Sequence, residues 1–231
     1  MRKSDIVSLI GASLSSISII LAIHSYIYEA VRFLLFSYAA DILDGWIARR
    51  LGESSKTGLM LDRTLDRLSQ VIAPVVIYTS WLASIGVSNE QLIYIAIYAS
   101  ILIPFAFYRL IYRVVTSLEY FYGLPLFFHA GLIITSILAN RIIHPVVLLV
   151  SLTLTILPIK YFRRRKTSKQ PSPLTPLRLI IVVLMAIIPY TYNIVTQLAL
   201  AIQYILITYM LLGPILYYLF VHRPSSSDYQ Q

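Results

Sequence analysis

A chain of 231 residues that is 58% hydrophobic and only 13% charged cannot present a surface built mainly for water, and its apolar runs are too many for one anchor. It contains no cysteine, which excludes disulfides, thiolate metal sites and cysteine nucleophiles and leaves oxygen or imidazole as metal ligands, a set suited to hard cations. The formal net charge of +9 is expected at membrane boundaries, as orientation signal and attraction to anionic headgroups, with no role in binding nucleic acid.

Apolar runs bounded by charge or turn residues predict helices near 5–24, 27–48, 58–84, 90–113, 123–139, 143–161, 176–193 and 197–220. Because lipid offers the backbone no hydrogen-bond partners and the runs are continuous instead of alternating, the spans should be helices and not barrel strands. The expected fold class is therefore all-α, a polytopic membrane bundle of about eight helices. Arg49, Arg50 and Lys56 follow the second run, Arg109 and Arg113 close the fourth, and Lys160, Arg163, Arg164, Arg165, Lys166 and Lys169 follow the sixth. The intervening linkers, such as 86–91 and 190–193, are almost free of Lys and Arg. The positive-inside bias makes the basic group cytoplasmic, with both termini inside, in the cell membrane. Residues 163–176 form a basic, proline-broken linker that separates six helices from two more within 177–221, and 222–231 is expected to be a disordered tail.

Four of the ten acidic residues are aspartates on the second and third predicted helices. At helical spacing Asp41, Asp44 and Ala48 share one face, and Gly58, Asp62 and Asp66 share another. A carboxylate at membrane depth costs roughly 2.5 kcal/mol or more, and neighbouring like charges repel further. Something cationic must lie between them. Arg49, Arg63 and Arg67 could do this as a plain ion-pair cluster. Glycines 45 and 58, however, remove side chains beside the acidic faces, which a bulky ligand needs and an ion pair does not. Carboxylates converging from two helices suit one or two Mg²⁺-like ions, which in turn bind phosphates.

The run Asp41-x-x-Asp44-Gly45-x-x-Ala48-Arg49, eight residues, Gly58-x-x-x-Asp62-x-x-x-Asp66 resembles the signature of the CDP-alcohol phosphotransferase family at all eight fixed positions. The resemblance implies a six-helix core over 1–162, two divalent cations, Mg²⁺ or Mn²⁺, and a CDP-activated lipid donor. It also implies metal ligation by Asp41, Asp44 and Asp62, and Asp66 as general base that also touches metal. Contacts to the CDP moiety are implied for Gly45, Ala48, Arg49 and Gly58, with Ser8 on the first helix, near Asp5 and Gly11, as a further contact. A homodimer is the implied assembly.

For the acceptor, Arg109-Leu-Ile-Tyr-Arg113 followed by Phe121-Tyr-Gly123-Leu124-Pro125 resembles the phosphatidylserine and archaetidylserine synthase branch, although Leu126-Phe127-Phe128 replaces its usual small continuation. L-serine is the expected acceptor, its carboxylate met by Arg109 and Arg113. Plain positive-inside anchoring is the other account of this pair. Asp66-Arg67 recurs in inositol-phosphate-using relatives, and an inositol phosphate or glycerol phosphate acceptor would find a second phosphate pocket in Lys56, Arg63 and Arg67. A cation- or proton-coupled transporter is the rival of another class. It predicts acids near the bilayer midplane and paired broken helices, whereas these acids cluster at one boundary and no internal repeat is visible. Membrane prenyltransferases carry a second aspartate-rich motif, which is absent here. His24, His129, His144 and His222 have no second imidazole at ligand spacing, so boundary or hydrogen-bonded roles are expected. The eighteen tyrosines suit interfacial belts.

Overall fold

The computed structural model describes residues 3–51, 56–115, 121–161, 175–191 and 193–221. The side chains of Arg49, Lys56 and Arg113, the expected linker up to residue 174 and the expected tail 222–231 lie outside the described residues. The architecture is a polytopic helical membrane bundle: α1 (Lys3–Ile23), α2 (Ile27–Leu51), α3 (Lys56–Arg67), α4 (Ala73–Ser84), α5 (Asn89–Val115), α6 (Phe127–Leu138), α7 (Pro145–Ile156), α8 (Thr175–Ile187) and α9 (Asn193–Val221). A widened π-helical turn at Leu68–Ile72 joins α3 to α4 in one rod, so these nine helices make the eight rods expected from hydropathy.

Among the described residues, Ser4–Ile23, Asn89–Ile111 and Asn193–Leu219 are long and apolar enough to cross a membrane. Large apolar side chains such as Ile111, Ile194 and Ile205 project outward from the bundle, an arrangement suited to lipid and not to water. Helices α6 and α7 have only 12 residues each, about 18 Å at 1.5 Å per residue and short of a ~30 Å hydrocarbon core. The central helix α6 is buried over most of its length, with Leu132, Ile133 and Ile137 at its core.

Three connections between helices use one device. Ser25, Gly86 and Asn140 adopt positive φ, and the next amide reaches back five residues: Tyr26 N to Leu21 O, Val87 N to Leu82 O and Arg141 N to Ser136 O. Each thereby satisfies a carbonyl that the helix end would otherwise orphan.

The expected helices at 123–139 and 143–161 are shorter in the structure. Leu157 precedes Pro158 and is extended, as the steric demand of a following proline requires, so α7 stops there. Helix α8 stops at Ile187, just before Ile188-Pro189, for the same reason. Residues 121–126 form a turn instead of a first helical turn. Phe121 and Tyr122 pair antiparallel with Tyr161 and Lys160, Gly123 N donates to Ile159 O and Leu124 N to Leu154 O. Residues 123–126 are all buried. Non-helical backbone at membrane depth is tolerated when enclosed by protein and internally hydrogen-bonded in this way.

Candidate functional site

The two aspartate faces read from the sequence meet. Helix α2 presents Ser37, Asp41 and Asp44 at positions i, i+4 and i+7, and α3 with the following π turn presents Asp62, Leu65, Asp66 and Ser69. Helix α1 closes the third side with Ser8, Gly11 and Ala12, leaving an open cleft lined by these ten residues. Gly11 permits the closure: a Cβ there would stand 3.2 Å from the Cβ of Ala40, so a larger residue would push α1 off the acidic face.

Asp41, Asp62 and Asp66 each offer a carboxylate oxygen, all within 4.8 Å of one another. Oxygens on opposite sides of an octahedral Mg²⁺ stand about 4.2 Å apart, and adjacent ones about 3 Å, so the three-oxygen set fits a hard divalent cation. Asp44 lines the same cleft but is held differently. It is 5% exposed, and its Oδ2 accepts a 2.6 Å hydrogen bond from Ser8 Oγ. Asp44 remains within electrostatic reach of Asp41 and Asp62. Four carboxylates thus share one small volume, where mutual repulsion favours an added cation.

Helix α2 and the π turn are tied together beside the cleft. Tyr38 donates to the Ser69 carbonyl at 2.9 Å, and Ser69 Oγ reaches the Asp66 carbonyl at 3.3 Å, tying the acidic end of α3 to α2. Ser37, four residues before Asp41, and Ser69, three after Asp66, follow the helical period that places the aspartates. That period was the signal available to find them.

The other expected site residues divide. Gly45, Ala48 and Gly58 are half-buried on α2 and α3, and none is among the residues lining the cleft. Arg63 is half-buried on α3. Arg67, 4% exposed, has no hydrogen-bond partner at Nε and lies within electrostatic reach of Asp66, Arg63 and Arg109. Arg109, also buried, donates from a terminal guanidinium nitrogen to the Leu124 carbonyl at 2.7 Å. Asp66 is the carboxylate within reach of Arg67, and Arg109 places a second buried guanidinium near it. The described histidines take structural roles. His129 lies 2.5 Å from Tyr98 Oη and 2.7 Å from Thr155 Oγ1, His24 meets the Ile20 carbonyl, and His144 caps α7. Of the tyrosines expected in belts, Tyr26 and Tyr28 are exposed, whereas Tyr217 is buried.

Residues 3–157 match the family model described as CDP-alcohol phosphatidyltransferase. A 57-residue stretch is 39% identical to CDP-diacylglycerol--inositol 3-phosphatidyltransferase 1 of Arabidopsis thaliana, covering 21% of this chain and 25% of that relative. The match therefore spans a quarter of the relative's length.

Proposed function

Because the chain belongs to the CDP-alcohol phosphatidyltransferase family, we propose that its aspartate cleft transfers the phosphoryl-lipid group of a CDP-activated lipid to the hydroxyl of a small anionic alcohol, releasing CMP. The observation that carries the reading is the convergence of Asp41, Asp62 and Asp66 oxygens from two helices. These three, with Asp44, would hold two divalent cations, Mg²⁺ or Mn²⁺. When bound, such cations offset the negative charge of the donor's diphosphate and of departing CMP. Asp66 accepts the acceptor's hydroxyl proton as its oxygen bonds to the lipid-bearing phosphorus. The bond from that phosphorus to CMP breaks, and CMP leaves with the electron pair.

Gly45, Ala48, Arg49 and Gly58 flank the nucleotide in this reading, and Ser8 acts by holding Asp44. The catalytic core is 1–162, with 177–221 an addition. The cleft faces the cytoplasm of the cell membrane, as the basic linkers after α2, α5 and α7 support. A homodimer is carried over from the family resemblance.

Buried Arg67, within electrostatic reach of Asp66 and of buried Arg109, supports an anionic acceptor. An inositol phosphate stands first: Arg67, with its Nε unpartnered, is adjacent to the proposed base and Arg63 is nearby, which supports the phosphate, while the Arabidopsis relative, named for transfer to inositol, supports the ring alone. L-serine is the second reading, supported by Arg109 and the Gly123-Leu124-Pro125 turn to which it is bonded.

Protein purified in detergent would be given CDP-archaeol or CDP-diacylglycerol with Mg²⁺ or Mn²⁺, and CMP release followed with inositol, inositol phosphate, glycerol 3-phosphate or serine. Metal-dependent release with inositol phosphate, lost in Asp66→Asn, is the expected result. Release with serine alone would select the second reading. Absence of release with every pairing, in folded protein that binds metal, would overturn these acceptors in favour of a different alcohol or of a transporter.

A further inference from the structure

Helices α8 and α9 lie beyond the residues matched by the family, yet α9 is packed into the protein. Leu206 fills the space over Gly131 of α6, where a Cβ would meet it at 2.8 Å. Tyr209 stacks on Phe128 with ring centroids 4.9 Å apart. Tyr161, fully buried, donates its hydroxyl hydrogen bond to the Met210 carbonyl at 3.0 Å and lays its ring against Gly213, where a Cβ would stand 2.9 Å away.

Tyr161 also borders the turn at 121–126. Its backbone pairs with Phe121. Two residues on, Gly123 takes φ +67°, a conformation that glycine adopts at little cost, and its amide donates to Ile159 O at 2.7 Å while Leu124 N donates to Leu154 O at 2.9 Å. The Leu124 carbonyl then accepts from Arg109 at 2.7 Å, and Arg109 stands within electrostatic reach of Arg67 beside Asp66. A continuous run of contacts thus leads from α9 through Tyr161 and the turn to the buried guanidinium of Arg109. The carboxylates are reached by a separate route, through α1 and α2.

We infer that Tyr161, clamped by α9, is a positioning residue that sets Arg109 for the acceptor, so that α9 tunes acceptor affinity and leaves donor and metal binding alone. This rests on the reading of Arg109 as an acceptor contact. A hydrogen-bonded guanidinium fixed at its far end loses less freedom on meeting an anion than a free one does.

Two readouts test it. The first is the KM for acceptor against the KM for donor in Tyr161→Ala and in Tyr161→Phe, which keeps the ring and loses the bond to Met210. The second uses the absence of native cysteine. Leu124→Cys introduces a single thiol at a fully buried position, whose labelling rate reports opening of the turn. Tyr161→Ala is expected to raise acceptor KM several-fold and accelerate labelling, with Tyr161→Phe intermediate and donor KM and metal requirement unmoved. Tyr204→Ala, on a 63% exposed residue of the same helix, should change none of these. If Tyr161→Ala does not fold, Tyr161→Phe carries the same comparison. Labelling unchanged in both variants would overturn the clamp, and so would donor and acceptor KM rising together. Faster labelling with acceptor KM unmoved, and equally unmoved in Arg109→Gln, would leave the clamp standing and remove Arg109 from acceptor binding.

Discussion

Ser8→Ala tests whether Asp44 is held for the metals by α1. The serine donates to a 5% exposed carboxylate at 2.6 Å, and the residue lost contributes only a hydroxyl. A hydrogen bond to a charged group contributes ~1.5–3 kcal/mol, which is roughly 10- to 150-fold in an equilibrium constant at 1.36 kcal/mol per decade. Independently, removing the partner that orients a metal-ligating carboxylate costs about 10- to 100-fold in metal affinity. The two routes agree, so the Mg²⁺ concentration for half-maximal CMP release should rise by one to two orders of magnitude. Thermal unfolding in detergent should shift little in comparison, because with metal absent Asp44 can exchange its lost bond for a proton. Ser8→Thr keeps the hydroxyl and should restore the wild-type requirement. Ser13→Ala serves as control: Ser13 is exposed, and its hydroxyl returns to its own helix at Leu9 O. An unchanged metal requirement in Ser8→Ala, or an equal shift in Ser13→Ala, would refute the reasoning.

Asp66→Asn should reduce kcat by about 10²- to 10⁴-fold, the usual contribution of a general base, with donor KM changed far less, as initial rates of CMP release will show. Asp41→Asn, which replaces one of three converging carboxylates with a neutral and weaker ligand, should raise the metal requirement and lower bound metal measured after desalting; chelator should abolish turnover of the unmodified protein. Gly123→Ala should fail at the level of folding: a Cβ there would lie 2.2 Å from the Thr155 carbonyl oxygen at φ +67°, so the protein is expected to be recovered poorly or to unfold well below wild type in a detergent melt. Gly86→Ala, also at positive φ but with open space around it, should cost only the conformational strain, about 1 kcal/mol.

The helix count and the composition of the acidic cleft were legible because both follow from local rules. Lipid forces each apolar run to satisfy its own backbone, so a run of sufficient length is a helix whatever surrounds it. The 3.6-residue period then puts Asp41 with Asp44, and Asp62 with Asp66, without reference to the rest of the chain. The turn at 121–126 escaped because its apolar residues look like helix. What breaks the helix there is pairing with residues 159–161, beyond the whole of α6 and α7, together with the left-handed Gly123. The caps at Ser25 and Asn140 escaped for a related reason: neither residue type demands positive φ as a glycine would.

Sequence by itself determined that this protein lives in a membrane, that it is helical, and that four carboxylates lie at the junction of two helices, since hydropathy and helical period are properties of neighbours in the chain. Only the tertiary structure decided that three of the four converge while Asp44 is drawn to Ser8, that Arg67 and Arg109 are buried within reach of each other, and that α9 grips Tyr161. Those outcomes depend on which faces pack, and Ser8 with Asp44 or Tyr161 with Met210, 36 and 49 residues apart, become neighbours only when helices meet side by side.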